Sequence, residues 1–97
     1  MPTYIVLGNF TDQGIRAVKD SPKRLEAVKA MCQQAGVTLK ETYYTLGQYD
    51  LVAISELPDD ETAAKAALTA SSQGNVKTET LRAFTESEFL KMVASLP

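Results

Sequence analysis

The sequence predicts a single α+β domain, and two observations lead to this fold class. First, segments rich in β-branched and aromatic residues alternate with amphipathic segments, in the order strand, helix, strand, strand, helix, strand, helix. Second, the chain has 97 residues, which leaves room for only one core. We therefore expect residues 1–97 to form one domain with the split β-α-β arrangement of ferredoxin-like folds: a four-stranded antiparallel sheet, two long helices and a C-terminal helix.

Composition and end signals define the first strand and the first long helix. The segment 4–10 is short and rich in β-branched and aromatic residues, which predicts a strand. A short helical turn is expected at 15–18. Ser21 is predicted to cap the first long helix, because Pro22 suits the first helical position. Gly36 is expected to end this helix.

The second half of the chain repeats the pattern. Segments 37–46 and 50–57 are predicted strands joined by a tight hairpin. Asp59 is predicted to cap the second long helix, whose alanine-rich body can lie close to a sheet. A fourth strand is expected at 76–84. The segment 85–88 (Thr-Glu-Ser-Glu) has the pattern of a capping box that begins the C-terminal helix.

Both faces of the two central strands are apolar. In the first strand, Ile5 and Leu7 alternate with Tyr4, Val6 and Phe10. In the third strand, Leu51 and Ala53 alternate with Val52 and Ile54. Two helices can cover only one face of a four-stranded sheet, so the other face needs a cover. We predict a second copy packed sheet against sheet, as in a two-subunit α/β barrel. The alternative is a monomer whose second face is covered by the C-terminal helix alone.

Composition argues against several classes of function. Ten basic and twelve acidic residues give a net charge of −2, whereas nucleic-acid binding usually requires a basic surplus. The chain has no histidine and no metal-ligand or phosphate-loop spacing, so we expect no metal and no cofactor. The single cysteine fits a reducing compartment. With no signal-peptide pattern and no long apolar run, the sequence predicts a cytoplasmic protein without a membrane partner.

Antiparallel pairing of the predicted strands brings three loops to one rim of the sheet, where a small polar ligand would find hydrogen-bonding groups. The candidate ligand-binding residues on this rim are Asn9, Thr11, Asp12, Tyr49, Asp50, Asn75 and Lys77. A structural role is the alternative. In that case Asp50 accepts backbone N–H groups, while Asn9, Thr11 and Asp12 cap the turn that follows the first strand.

Three further candidates lie elsewhere on the predicted sheet. Tyr43 and Tyr44 are neighbours on a strand and so point to opposite faces. One of them should face the space between two stacked sheets, either as a ligand contact or general acid or as a packing residue. Arg82 is expected at the opposite rim near Tyr4, where it would bind an anion or form an interface ion pair. Cys32 is expected to be a packing residue.

Three stretches resemble the GYD-domain family of small bacterial proteins in order and spacing: 9–14 (NFTDQG), 47–50 (GQYD) and 74–84 (GNVKTETLRAF). The resemblance covers nearly the whole chain. Gln48 interrupts the Gly-Tyr-Asp element, so the matching form is Gly47-x-Tyr49-Asp50. The resemblance implies a ferredoxin-like protein of the dimeric α/β-barrel type. It implies no established activity and therefore no catalytic residue.

Three functions remain open from the sequence. We predict an oligomeric module that binds a small ligand or serves as an accessory or regulatory subunit, because such a role needs no strong nucleophile. The alternative is a cofactor-independent enzyme of the dimeric barrel type, resembling a monooxygenase or isomerase. In that case a tyrosine, Asp50 or Arg82 would assist on a small organic substrate. A purely structural role is the third hypothesis.

Overall fold

Four strands and four helices make up the fold in the computed structural model, which describes residues 1–97. The strands are β1 (Thr3–Phe10), β2 (Thr38–Tyr44), β3 (Leu51–Glu56) and β4 (Val76–Ala83). The helices are α1 (Asp12–Arg16), α2 (Ser21–Gln34), α3 (Asp60–Ser72) and α4 (Glu86–Ala94), with a 3-10 turn at Val18–Asp20. The predicted α+β class and the predicted order of elements are confirmed. None of the helices has the length and apolar character that a membrane crossing needs.

The strands form one open antiparallel sheet in the order β2-β3-β1-β4. β1 lies in the middle, where Ile5 is opposite Ile54 of β3 on one side and Leu81 of β4 on the other. A bulge between Leu39 and Glu41 shifts the register of the edge strand β2. Directly opposite residues share a face of the sheet, so this register fixes which side chains lie together.

Two helices, α3 and α4, begin at their predicted N-cap residues, whereas α2 does not. The Asp59 carboxylate accepts the Thr62 N–H at 2.8 Å, and Thr85 forms a complete capping box before α4. Ser21, in contrast, does not cap α2. The 3-10 turn runs directly into this helix, so Ser21 already has helical backbone angles and Asp20 takes the N-cap position without a side-chain bond. The Ser21 hydroxyl instead accepts a hydrogen bond from Arg24 at 3.2 Å.

The core lies between the sheet and the helices and is small. Its buried members are Tyr4, Val37, Leu57 and Ala63, with Cys32 packed against them. Only 7 of the 97 residues are buried, and no large side chain is completely enclosed. Most apolar side chains of a single copy therefore keep part of their surface in contact with solvent.

The sheet face away from the helices is uncovered. Tyr4 is buried and bonds to Asp60 of α3, so its face of β1 is the helix-covered one and Ile5 lies on the opposite face. The strand register completes this opposite face, which we call the open face: Ile5, Leu7, Tyr43, Val52, Ile54 and Leu81. α4 does not cover it, because the apolar side chains of α4 are themselves exposed.

Candidate functional site

Asp50 joins the hairpin between β2 and β3 to the end of β1. Its carboxylate accepts the Phe10 N–H at 2.9 Å, and its own N–H donates to the Gly8 carbonyl at 2.9 Å. Its carbonyl accepts the Thr45 N–H at 2.8 Å. The side chain and backbone of Asp50 are therefore used in positioning two neighbouring segments of the chain.

Thr11 joins the loop after β1 to the loop before β4. Its N–H donates to the Asn75 carbonyl at 3.1 Å, and its hydroxyl donates to the Gly74 carbonyl at 2.6 Å. The same hydroxyl oxygen accepts the Gly14 N–H at 3.1 Å and so caps α1. Gln13 adds a bond to the Asn75 side chain at 3.1 Å. The rim loops converge as predicted, and their polar groups bond to one another.

Gly14 allows these two loops to approach closely. A Cβ atom at this position would lie 1.9 Å from the Asn75 carbonyl oxygen, inside any permitted contact distance. Gly74 on the facing loop has φ +80°, a backbone conformation that favours glycine. Gly14 and Gly74 therefore allow the two rim loops to lie close together.

The other candidates on the rim are less engaged. The side chains of Asn9, Asp12 and Lys77 make no hydrogen bond within the chain. Asn9 and Lys77 are register partners on β1 and β4, whereas Asp12 is exposed in the first turn of α1. These three side chains are free to contact another molecule.

Two tyrosine–glutamate pairs lie on the side of the open face. The Tyr43 hydroxyl donates to the Glu41 carboxylate, and the Tyr49 hydroxyl donates to Glu79 at 2.9 Å. The bonded carboxylates raise the pKa of both tyrosines, so both phenols act as hydrogen-bond donors rather than bases near neutral pH. Neither glutamate was among the predicted site residues. The alternation of β2 does place Glu41 and Tyr43 on one face, and that signal was available in the sequence.

Arg82 packs on aromatic rings at the other end of the sheet. Its guanidinium lies 4.4 Å from the centre of the Phe84 ring and 5.7 Å from that of Tyr4. Tyr4 in turn donates its hydroxyl to Asp60, which raises the pKa of Tyr4. Arg82 forms no salt bridge within the chain. In one copy it makes cation–π contacts and donates to the backbone carbonyls of Thr3 and Ala83. Arg82 lies beside Tyr4, as the sequence predicted.

A groove of about 530 Å³ separates α2 from the edge strand β2. Leu25, Cys32 and Leu39 contribute apolar surface, and Tyr44 lines it from the strand. Burial raises the pKa of the Cys32 thiol, which makes it a poor nucleophile. Tyr44 lines this groove on the helix-covered side of the sheet, whereas Tyr43 lies on the open face. The two tyrosines therefore lie on opposite faces, as predicted. No three or more aspartate, glutamate or cysteine side chains are grouped so that they could hold a metal ion.

The fold and its rim define a class: a small ferredoxin-like α+β protein whose glycine- and aspartate-containing loops lock one end of the sheet. The GYD domain family model matches residues 4–93, and the chain belongs to this family. It is also 40% identical over 84 residues to the "glutamine synthetase and cystathionine beta-lyase binding protein" of Thermus thermophilus. That match spans 86% of this chain and 88% of the relative.

Proposed function

We propose that this chain is an accessory protein that acts by binding other proteins, specifically enzymes of the kind bound by its relative. The similarity to a protein named for binding glutamine synthetase and cystathionine β-lyase carries this proposal. The matched region spans most of both chains, so the surfaces available for binding come from the same fold. We also propose a cytoplasmic location, which the single unpaired cysteine supports.

The exposed apolar surface supports a binding role. Extended apolar patches are uncommon on proteins that act alone and typically mark sites of interaction. In this chain the open face and the helix α4 both carry large apolar side chains in contact with solvent. A chain with so few buried residues gains stability when such surfaces are covered by another protein.

The rim supports protein binding over capture of a small polar ligand. Thr11 and Asp50 direct their polar side-chain atoms toward backbone groups of neighbouring loops. Asn75 accepts a bond from Gln13. The bonded motif residues therefore serve mainly to hold the loops together. The polar groups that stay free on the rim, those of Asn9, Asp12 and Lys77, lie on the surface of two strands and a helix.

We further propose that two copies associate through the open face, sheet against sheet, to form a dimer or a multiple of dimers of the barrel type. The apolar centre of the open face fits this arrangement, because stacked sheets bury such side chains about 10 Å apart. The glutamates and Lys77 at its borders would then form a polar rim around the contact.

Direct binding to purified enzymes tests the accessory role. The protein is titrated into glutamine synthetase and into cystathionine β-lyase from its own source organism, with heat measured by isothermal titration calorimetry. We expect saturable binding to at least one enzyme at a fixed stoichiometry. An unrelated oligomeric enzyme of similar net charge serves as the control for non-specific apolar contact. Absence of saturable binding to both enzymes would contradict the proposal.

A cofactor-independent enzyme of the dimeric barrel type is the second candidate, and the tyrosine–glutamate pairs favour it. A second sheet stacked on the open face would enclose Tyr43 and Glu41 above an apolar floor. Such an enzyme would retain a small organic molecule in native mass spectrometry, and Tyr43→Phe would remove its turnover while leaving assembly unchanged. An assembly that retains no organic molecule, and shows no turnover that depends on Tyr43, would contradict this candidate.

A further inference from the structure

The helix α4 and its flanking residues carry an apolar stripe that their own chain leaves largely in contact with solvent. The α4 stripe consists of Phe89, Leu90, Met92 and Val93 of the helix and the flanking Phe84 and Leu96, each between 40% and 69% exposed. Within α4, Phe89 and Val93 lie on one side at four-residue spacing, and Leu96 follows the C-cap with its N–H bonded to the Val93 carbonyl at 3.2 Å. We propose that α4 is an exchanged arm, whose stripe packs against a second copy of this chain. The inference rests on the proposed self-association and adds a second contact to it.

The geometry of the arm keeps it away from its own sheet. Only Phe84 and Thr85 separate β4 from α4, which leaves little freedom for the helix to fold back. The capping box fixes the start of the helix, with the Glu88 N–H donating to Thr85 at 3.1 Å and the Thr85 N–H donating to Glu88 at 2.9 Å. The chain is accordingly elongated, with extents of 52 × 32 × 18 Å.

A helix of this length needs a packing partner. α4 has nine residues, whereas isolated helices shorter than about 12–15 residues are marginal in water. In proteins most helix stability comes from packing of the apolar face. Because α4 makes only marginal contact with the rest of its chain, that packing must come from another molecule.

Surface area favours a second copy as that molecule. With about 150–250 Å² for each of the two phenylalanines and somewhat less for each of the four other apolar side chains, the exposed parts of the stripe amount to roughly 500 Å² per copy. A specific interface buries about 1,200–2,000 Å² in total. Two arms supply most of this area, and the open faces supply the rest. Interfaces between permanent copies are more apolar than transient ones, and the stripe offers six large apolar side chains with Glu86 at its border.

Sedimentation equilibrium on the full chain tests the exchanged arm. The double variant Phe89→Ser/Val93→Ser is compared with the wild type and with Leu68→Ser. Leu68 is 71% exposed on α3, so it controls for loss of an exposed leucine elsewhere. We expect the double variant to raise the Kd of the dimer at least roughly thirty-fold. The control should leave the Kd unchanged.

Three outcomes would overturn the inference: a monomeric wild type, a double variant with the wild-type Kd, or a double variant that still dimerises but no longer binds the enzymes. The last result would assign the stripe to an enzyme partner. A raised Kd together with no enzyme binding by the wild type would support the arm and contradict only the accessory role. Should the double variant fail to fold, the photo-cross-linking amino acid benzoylphenylalanine in place of Leu90 gives a second test. We expect a product of twice 10.5 kDa, and a product of any other mass contradicts the proposal.

Discussion

Asp50 illustrates how a polar residue of a family-like motif serves the fold at the scale of a single side chain. Its carboxylate could have faced a ligand, but it accepts the Phe10 N–H and so holds the hairpin against β1. The predicted tight hairpin is a six-residue connection, 45–50, in the structure, and Asp50 is its last residue. An aspartate there is well suited to this role, because a carboxylate accepts backbone N–H groups strongly. The sequence alone left both roles open, since the Phe10 contact is formed across 40 residues of chain.

Replacement of Asp50 tests this role. Asp50→Ala leaves the Phe10 N–H without its partner, and we expect a loss of about 1.5–3 kcal/mol in the free energy of unfolding. Asp12→Ala removes a carboxylate of the same rim that makes no hydrogen bond, so it should cost far less. Urea unfolding measures both variants. Equal stability of the two variants, or loss of enzyme binding in a fully stable Asp50→Ala variant, would show that Asp50 has another role.

Gly14 provides a second test at the residue scale. Gly14→Ala places a methyl group against the Asn75 carbonyl, so the two rim loops must move apart. We expect a loss of about 1–3 kcal/mol, as for other overpacked sites. Gly36→Ala is the control, because its Cβ would meet open space and only the positive φ of +75° opposes it. In thermal unfolding, Gly14→Ala should have a lower Tm than Gly36→Ala. The reverse order would contradict the close approach of the two rim loops at Gly14.

At the scale of elements, local signals predicted the helix ends where a side chain makes the cap. Asp59 and Thr85 cap α3 and α4 as expected, because each bonds to a backbone N–H within its own turn. The start of α2 differed, since a 3-10 turn precedes it and no local rule showed that Ser21 would already be helical. The tyrosine–glutamate pair of Tyr49 was also missed, because Glu79 comes from a distant strand.

The capping box predicts how the stability of α4 depends on pH. The Thr85 N–H donates to the Glu88 carboxylate and holds the pKa of Glu88 below its ordinary value of 4.5. A lowered pKa in the folded state means that the ionised group stabilises the fold above pH 4.5. This contribution is lost as the pH falls through the folded pKa. Asp59, whose pKa is lowered by the Thr62 N–H, adds a dependence of the same sign.

The variant Glu88→Gln separates the contribution of Glu88 to this pH dependence from that of Asp59. Glutamine keeps an acceptor in the capping box but does not titrate, so the variant should lose less stability than the wild type between pH 5 and pH 3. Thermal unfolding followed by circular dichroism at several pH values measures the difference. Glu26→Gln, at an exposed position of α2 without an ion pair, should leave the wild-type profile. Identical profiles for wild type and Glu88→Gln would exclude a role for the ionised cap.

At the scale of the whole molecule, two-sided apolar strands predicted an uncovered sheet face, and the structure has one. The pattern of β1 and β3 was sufficient for this, because side chains alternate strictly along a strand. The sequence did not predict where α4 would lie. Its amphipathic pattern fits packing on its own sheet as well as on another molecule, and only the fold shows that its own sheet is not used.

Leu81→Glu tests the open face. Leu81 is 41% exposed on the edge strand β4, so a glutamate can be accommodated in a single copy. Between two stacked sheets, however, the charge would be desolvated without a partner, and we expect at least about a hundredfold weaker self-association. Leu68→Glu on α3 is the matched control and should associate as the wild type does. Equal association of the two variants would place the contact elsewhere.

The most direct test of the central claim, that a single copy of this chain leaves surfaces that other copies cover, is the mass of the wild-type protein in solution. Sedimentation velocity over a range of concentrations measures it. We predict a mass of twice 10.5 kDa or an even multiple of 10.5 kDa. A single species of 10.5 kDa at every concentration would contradict the account.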